Sequence, residues 1–268
     1  MKRRKRHSGN TVLKRLVWGL FTMSVILGVV YYVLVHFFNL NTKWFTMRGP
    51  LFFPAGDVRG IDVSHYQKDI DWNEVAEAKL DGEPIRFVFI KATEGKNLND
   101  EYFSQNFSEA RKHGILRGAY HVFTSTSSAQ EQAHHFCSVV DLKENDLVPV
   151  LDVEKLGMCS VRQLQEGVID WMNIVEDYYG VTPILYTSFK FKQTYLSGTE
   201  FEKYPYWIAH YYIKELAYQG NWILWQHTDI GKVNGIDEYV DINVFNGDYT
   251  DLLEFTMRNA RKRKNTDK

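Results

Sequence analysis

The sequence predicts an α/β protein: a (β/α) TIM-like barrel, irregular in its later strands and preceded by one transmembrane helix. Three observations lead to this prediction. Short apolar runs alternate with helix-patterned segments, acidic residues close several of these runs, and a long uncharged apolar segment follows a basic amino terminus. Repeated strand and helix alternation within one domain favours a parallel sheet that closes into a barrel.

The amino-terminal segment has the pattern of a membrane anchor. Residues 16–38 contain no Asp, Glu, Lys or Arg, and about 20 apolar residues are enough to cross a bilayer as a helix. Seven of the 32 Lys and Arg residues lie in residues 1–15, which by the positive-inside rule places the amino terminus in the cytoplasm. A cleaved signal peptide is the alternative, but its apolar core would be shorter.

These features divide the chain into five predicted regions. They are a basic cytoplasmic tail (1–15), a transmembrane anchor (16–38), a stalk rich in Gly and Pro (39–57), the barrel (58–255) and a basic carboxyl-terminal tail (256–268). The chain is thus expected to be a single-pass membrane protein. Its lipid partner is the bilayer around the anchor, and its barrel lies on the extracytoplasmic side, either periplasmic or at the cell surface.

The barrel prediction rests on eight strand-like runs and on the helical patterns between the early ones. The runs are Gly60–Val63, Phe87–Lys91, Gly118–Phe123, Val148–Val153, Ile184–Thr187, Tyr206–Ala209, Ile223–Gln226 and Val240–Phe245. The helical patterns are Asp71–Leu80, Tyr102–His113, Ser128–Val140 and Val161–Tyr179. The gaps after residue 206 are short and lack clear helices, so an incomplete or distorted barrel is expected there.

Composition and charge limit the classes of molecule that the chain is expected to bind. Residues 16–255 hold 19 basic and 32 acidic residues, a formal net charge of −13, which argues against nucleic acid as a partner. The chain has no Cys-x-x-Cys or His-x-x-x-His spacing, so neither a metal nor a cofactor is predicted. Cys137 and Cys159 are the only cysteines; two thiols and one disulfide both remain open.

Acidic residues mark the expected site. Asp152 and Glu154 close a buried run and, being two apart, share one face of the strand. Solvated acids at an ordinary strand end are the simpler interpretation. However, the active sites of parallel barrels form at the carboxyl ends of the strands, where Asp62 and Asp241 would join this pair.

Such a cluster suits glycoside cleavage. That reaction needs a protonated acid for the leaving oxygen, a second carboxylate, and flat rings that stack on sugar faces. Like charges this close cannot all ionise freely, which favours one protonated acid near neutral pH. The chain contains no Gly-x-Ser-x-Gly elbow that would indicate a competing hydrolase site.

Six motifs, in order, resemble the strand motifs of glycoside hydrolase family 25, the CH-type lysozymes. They are GIDVS at 60–64, FIKATEG at 89–95, GAYH at 118–121, PVLDVE at 149–154, YWIA at 206–209 and WQH at 225–227. The resemblance runs from Arg59 to Phe245 and implies an N-acetylmuramidase that hydrolyses the β-1,4 bond between N-acetylmuramic acid and N-acetylglucosamine in peptidoglycan glycan strands. His227 departs from the aromatic residue common there, which leaves substrate details open.

The resemblance also implies roles for individual residues. Glu154 corresponds to the general acid, and Asp152, Asp62 and Asp241 complete the acidic floor. The residues that would line the glycan cleft are Tyr120, Tyr186, Trp207 and Gln226.

Three questions stay open at this stage. The reaction could retain the anomeric configuration, with Asp152 orienting the 2-acetamido group of the substrate, or invert it, with Asp62 or Asp241 activating water. A catalytically silent peptidoglycan-binding protein on the same fold is an alternative to the enzyme. A secreted hydrolase directed at foreign walls would require a cleaved anchor.

Overall fold

The computed structural model describes residues 9–37, 56, 58–198 and 200–266. The predicted stalk over 39–57 and the first residues of the basic tail lie, apart from Gly56, outside the described residues. The chain divides into two compact units, residues 1–50 and 51–268. The described part of the first unit is one helix, α1 (Gly9–Phe37).

The anchor prediction requires correction. Helix α1 includes most of residues 16–38, but within the described residues no helix combines the length and apolar character needed to cross a membrane. The prediction of a transmembrane helix is therefore wrong, and the bilayer contact that it implied is not supported. That prediction relied on the uncharged and mostly apolar sequence of residues 16–38, which a span requires but which does not by itself make one.

The second unit contains ten strands and seven helices within its described residues. The strands are β1 (Arg59–Val63), β2 (Lys79–Leu80), β3 (Glu83–Glu94), β4 (Leu98–Asn99), β5 (Leu116–Val122), β6 (Val150–Asp152), β7 (Ile184–Ser188), β8 (Tyr206–Ala209), β9 (Trp222–Val233) and β10 (Ile236–Phe245). The helices are α2 (Trp72–Glu77), α3 (Phe103–Lys112), α4 (Ala129–Val139), α5 (Val161–Tyr179), α6 (Phe189–Tyr195), α7 (Tyr249–Leu253) and α8 (Met257–Thr266). A 3-10 turn, His65–Gln67, follows β1.

Eight of these described strands form a closed barrel. Going round it, the order is β1, β3, β5, β6, β7, β8, β9 and β10, and β10 pairs with β1 to close the ring. Neighbours from β1 to β9 are parallel, whereas β10 is antiparallel to both β9 and β1. Each of the eight predicted runs overlaps one barrel strand, and the carboxyl ends of the parallel strands meet on one side of the barrel.

The expectation of an incomplete barrel is wrong. Strands β9 and β10 form a long hairpin, in which Val233 pairs with Ile236 across Asn234 and Gly235. Asn-Gly is a frequent hairpin connection, and Gly235 takes the left-handed φ of 88° that favours glycine. An antiparallel strand needs no crossover helix, so the helix-poor end of the sequence still closes the ring.

Capped amphipathic helices cover the outer face of the early strands. Ser128 is the N-cap residue of α4 and Ser160 is the N-cap residue of α5. Each forms a reciprocal capping box that satisfies free backbone N–H groups. Helix α5 ends at Gly180, whose left-handed φ of 72° terminates the helix. These two helices pack together through buried rings, among them Phe136 and Trp171, whose centroids lie 5.4 Å apart.

The basic carboxyl-terminal segment is also structured. Its described part forms helix α8. Arg258 pairs with Glu144, and Lys264 lies 2.8 Å from Glu176 on α5. Met257 and Ala260 are buried against the barrel unit, so this helix packs on the unit and is not a free tail.

Aromatic rings fill the barrel interior where two strands carry glycine. A Cβ atom placed on Gly60 would lie 2.3 Å from the ring of Phe87, and one on Gly118 would lie 2.3 Å from the ring of Phe89. Phe89 in turn packs on Trp207, with ring centroids 4.9 Å apart. The barrel is thus closely packed below its carboxyl-terminal rim, and this packing supports the side chains above it.

We expect Gly60→Ala to lower the free energy of unfolding of the full-length chain by about 1–3 kcal/mol, because the added methyl group displaces the Phe87 ring. Urea denaturation measures this loss. In a Phe87→Leu background, where the ring is absent, the same substitution should cost clearly less. An equal loss in both backgrounds would contradict this packing account.

Candidate active site

A cavity of about 340 Å³ opens at the carboxyl ends of the barrel strands, and we call it the cleft. Its described lining contains the four predicted acids, Asp62, Asp152, Glu154 and Asp241, and the four residues predicted to line a glycan cleft, Tyr120, Tyr186, Trp207 and Gln226. The structure therefore brings all eight predicted residues together. Ser64, Tyr66, Gln67, Lys91, Glu94, Lys155 and Tyr211 complete much of the rest.

Asp62 is held by two amide groups at the end of β1. Its Oδ1 atom accepts hydrogen bonds from Gln226 Nε2 at 2.8 Å and from Asn243 Nδ2 at 2.7 Å. Burial, with a smaller contribution from the charge of Glu154, raises the pKa of Asp62 to about 6 against the lowering effect of these two hydrogen bonds. The group can therefore change its charge near neutral pH.

Asn243 links Asp62 to the aromatic interior. Its Oδ1 atom accepts a hydrogen bond from Trp207 Nε1 at 2.7 Å while its amide nitrogen donates to Asp62. Trp207 is only 2% exposed and packs between Phe89 and Tyr186, with centroid distances of 4.9 and 4.7 Å. Its ring therefore supports the floor of the cleft and offers little surface for stacking on a sugar.

Asp152 ends β6 deep in the cleft. Its side chain is buried, and among the described residues its Oδ1 atom has no hydrogen-bond partner. Burial raises the pKa of Asp152 well above its ordinary value, and the charges of Glu154 and Asp62 add to this, while Lys91 acts in the opposite direction. An oxygen in this setting is ready to bond with an N–H or O–H donor of a bound molecule.

Asp241 lies beside Asp62, because the two residues are direct partners across the antiparallel pair of β1 and β10. Burial raises the pKa of Asp241 well above its ordinary value, with contributions from the charges of Asp62 and Asp229. The buried Asp62 and Asp152 and the half-buried Asp241 thus gather beneath one opening.

Glu154 differs from these aspartates in its exposure. It follows β6 by two residues and lies exposed at the edge of the cleft. Its Oε1 atom lies 3.3 Å from the Tyr186 hydroxyl oxygen. A molecule entering the cleft would reach its carboxyl group without displacing other side chains.

Gln226 connects the tyrosines to Asp62. Its Oε1 atom accepts hydrogen bonds from Tyr186 at 2.7 Å and from Tyr211 at 2.6 Å, and its Nε2 atom donates to Asp62. Gln226 is 2% exposed, so it organises the residues around it and is not a free ligand for sugar.

The charge of the cleft is predominantly negative. Five acidic residues and two lysines are among its described lining. Lys91 is buried and lies 2.7 Å from Glu94, on the same strand, so part of its charge is balanced locally. Lys155 stands exposed beside Glu154.

Sequence reasoning missed two residues of this arrangement. Asn243 lies two positions after Asp241 on β10, so the period of a strand could have placed it on the same face. Tyr211 lies in the loop after β8, where no periodic signal exists. His227 points away from the cleft, since its neighbour Gln226 points in, and burial lowers the pKa of His227 to about 4.

The remaining polar candidates serve the scaffold. His121 is buried between Thr93 and Gln132, and burial lowers its pKa to about 3. Cys137 and Cys159 are free thiols. The described residues contain no group of three or more His, Cys, Asp or Glu side chains arranged to hold a metal ion.

The chain is similar to a known family and to several known proteins. Residues 61–236 match the model of the glycosyl hydrolases family 25. The chain is 43% identical over 223 residues to the uncharacterized protein YegX of Escherichia coli K12, covering 82% of this chain and 80% of that protein. It is 33% identical to lysozyme M1 of Streptomyces globisporus, covering 76% and 72%. Among solved structures it resembles a bacterial lysozyme of Streptomyces coelicolor, with a TM-score of 0.69, 32% identity, and coverage of 77% and 99%.

The raised pKa of Asp62 predicts a pH-dependent loss of stability. The folded state holds this proton more tightly than the unfolded chain, so stability falls as pH rises from about 4 to about 6. The difference between 3.8 and about 6 corresponds to about 3 kcal/mol. Asp62→Asn keeps an oxygen that accepts both amide hydrogen bonds, and should stabilise the full-length chain by about 2–3 kcal/mol at pH 7.5 but much less at pH 3.5.

Urea denaturation at both pH values tests this prediction. Asp170→Asn, on the exposed face of α5, is the matched control and should have similar small effects at both. Equal stabilisation by Asp62→Asn at pH 3.5 and 7.5 would contradict the assignment.

Proposed function

Because this chain belongs to glycosyl hydrolases family 25, and is therefore a glycoside hydrolase of the lysozyme and muramidase group, we propose that it cleaves the β-1,4 bond between N-acetylmuramic acid and N-acetylglucosamine. Peptidoglycan hydrolysis is the general activity of this family. The observation that carries the finer proposal is the pairing of an exposed Glu154 with a buried Asp152 whose Oδ1 atom lacks a partner in the described residues.

Glu154 is the proposed general acid. It is the exposed member of the four acids, so its proton can reach a glycosidic oxygen lying across the opening. Transfer of this proton to the leaving oxygen lets the bond to the anomeric carbon break, and the electron pair stays with the leaving N-acetylglucosamine.

Asp152 is the proposed partner of the 2-acetamido group. An acetamido N–H would supply the hydrogen bond that Oδ1 of Asp152 lacks among the described residues. This contact would hold the acetamido carbonyl oxygen against the anomeric carbon, where it attacks as the glycosidic bond breaks. Water then opens the resulting ring, and Glu154 takes back a proton from that water.

Asp62 and Asp241 have a supporting role in this proposal. Asp62 is buried and Asp241 is half-buried, and they lie next to each other on the closing strands of the barrel. Asp62 is already engaged by two amide donors, which makes it poorly available to deprotonate water. Negative charge beneath the opening favours the positive charge that develops at the anomeric carbon.

Peptidoglycan is the proposed substrate because the relatives that match this chain include proteins named lysozyme and N,O-diacetylmuramidase. Tyr66 is 70% exposed and lies with Tyr120 in the lining of the cleft, where such rings can contact sugar faces. Since peptidoglycan lies outside the cytoplasmic membrane, we propose an extracytoplasmic site of action.

We expect Glu154→Gln to reduce release of glycan fragments by about 10²–10⁴-fold, since the amide has no proton to donate to the leaving oxygen. The measurement is digestion of purified peptidoglycan by the full-length chain, with mass spectrometry of the fragments. The wild type should produce reducing N-acetylmuramic acid ends. Glu166→Gln, exposed on α5, is the control and should behave as wild type.

Other outcomes would revise the proposal. Reducing N-acetylglucosamine ends would assign the activity to the other glycosidic bond. Fragment release unchanged by Glu154→Gln would remove Glu154 from the acid role. Glycan binding without any release by the wild type would indicate a binding protein on this fold.

The first product should carry the β configuration, because acetamido attack followed by water inverts the anomeric carbon twice. Proton NMR of a short peptidoglycan glycan during the first minutes of digestion distinguishes the anomers before they equilibrate. An initial α anomer would contradict acetamido participation and would assign water activation to Asp62 or Asp241.

A further inference from the structure

The hydroxyl of Tyr186 has two acceptors for its one hydrogen. It lies 2.7 Å from Gln226 Oε1 and 3.3 Å from Glu154 Oε1. A phenol donates a single hydrogen bond at a time, so the shorter distance indicates that the hydrogen points to Gln226 in this structure. Turning it toward Glu154 needs only a rotation about the phenolic C–O bond.

That rotation would normally cost free energy, because it leaves the buried acceptor Gln226 Oε1 without the donor Tyr186. An unsatisfied buried oxygen costs about 1–3 kcal/mol, and Gln226 is 2% exposed. However, Gln226 Oε1 has a second donor, the hydroxyl of Tyr211 at 2.6 Å. An amide oxygen accepts two hydrogen bonds, so Tyr211 keeps Gln226 satisfied when Tyr186 turns away.

Both phenols remain neutral donors throughout the working range of pH. Burial raises the pKa of Tyr186 well above its ordinary value, and the neighbouring Tyr211 adds to this. Burial likewise raises the pKa of Tyr211, with a contribution from the charge of Asp241. Neither hydroxyl therefore loses its hydrogen to the acids around it.

The backbone holds Tyr211 in place from both sides. The neighbouring His210 donates its backbone N–H to the Gln226 carbonyl at 3.1 Å, and Tyr212 donates to the His227 carbonyl at 3.2 Å. In addition, Trp225 Nε1 donates to the His210 carbonyl at 2.8 Å. The loop after β8 is thus bonded to β9 on either side of Tyr211, which fixes the backbone position of this residue.

We propose that Tyr211 is a positioning residue whose hydrogen bond to Gln226 frees the Tyr186 hydroxyl to turn toward Glu154 as that acid gives up its proton. This inference rests on the proposed function, because it requires Glu154 to be the general acid. When the proton moves from Glu154 to the leaving oxygen, a carboxylate forms at the edge of the cleft. The Tyr186 hydrogen then bonds to that carboxylate, and no covalent bond of either tyrosine changes.

The test compares Tyr186→Phe, Tyr211→Phe and the double variant in the full-length chain, using soluble peptidoglycan glycan fragments. Tyr211→Phe should lower kcat about tenfold with little change in KM, because the Tyr186 hydrogen then stays on Gln226 and does not stabilise the Glu154 carboxylate. The alkaline limb of its pH–rate profile should move to higher pH, since the carboxylate has lost a donor. The double variant should be no slower than Tyr186→Phe alone.

The matched control is Tyr212→Phe, which removes the adjacent hydroxyl that bonds Asp229. It should leave kcat and the pH profile unchanged. Additive losses in the double variant would show that Tyr211 acts independently of Tyr186 and would overturn the inference. A Tyr211→Phe variant that is less stable but keeps the wild-type pH profile would assign Tyr211 a purely structural role.

Failure of the proposed function gives a different result. If the wild type releases no fragments, or if Glu154→Gln is fully active, the proposed role of Glu154 as general acid is contradicted. The inference on Tyr211, which depends on that role, is then contradicted as well. If wild-type activity depends on Glu154 while both tyrosine variants match the wild type, only the inference on Tyr211 is overturned.

Discussion

The two amide hydrogen bonds to Asp62 are the constraint on which the rest of the site depends. Gln226 and Asn243 both turn their N–H groups to Oδ1 of Asp62, so the oxygen of each amide must face the other way. For Asn243 that oxygen receives the indole N–H of Trp207, and for Gln226 it receives two phenols. Reversing either amide would set its oxygen against the carboxylate, and reversing Asn243 would also leave the buried indole N–H of Trp207 without an acceptor. The carboxyl group of Asp62 therefore fixes the orientation of both amides. Through the amides it also orients the indole and the two phenols that bond to them.

The way in which the barrel closes makes this arrangement available. Asp62 lies on β1, and the two amides lie on β10 and β9, the strands that complete the ring. Asn243 pairs with Gly60 on one side and with Gln226 on the other, so both amides lie at nearly the same height in the barrel. A parallel strand with a crossover helix would reverse the direction of β10 and would not give this register. The antiparallel hairpin, which interrupts the regular α/β pattern, is thus the element that sets the geometry around Asp62.

Particular residues show how much the sequence could predict. The apolar runs located all eight barrel strands, and a period of two placed Asp152 with Glu154, because both signals come from contacts along one strand. Closure of the ring depends on pairing between β1 and β10, which are far apart in the sequence, and on the hairpin connection at Asn234 and Gly235. The covering of Trp207 by Phe89 and Tyr186 and the position of Tyr211 depend on tertiary packing. No local pattern encodes either one. For α1, the uncharged and mostly apolar sequence predicts a membrane span, which the described residues do not support.

The choice of neutral donors around Asp62 has a consequence for the chemistry of the whole cleft. A buried carboxylate paired with arginine would have a low pKa and would present little net charge. Here amides take that place, and burial keeps the pKa of Asp62 at about 6. Lys91, the buried lysine of the lining, is drawn to Glu94, so little positive charge compensates Asp152 and Asp241. The fold thereby retains a concentration of acids that lowers its stability at neutral pH, and the closely packed aromatic interior beneath them must offset that cost. Such a field favours a cationic centre, which is what acid-catalysed cleavage at an anomeric carbon requires.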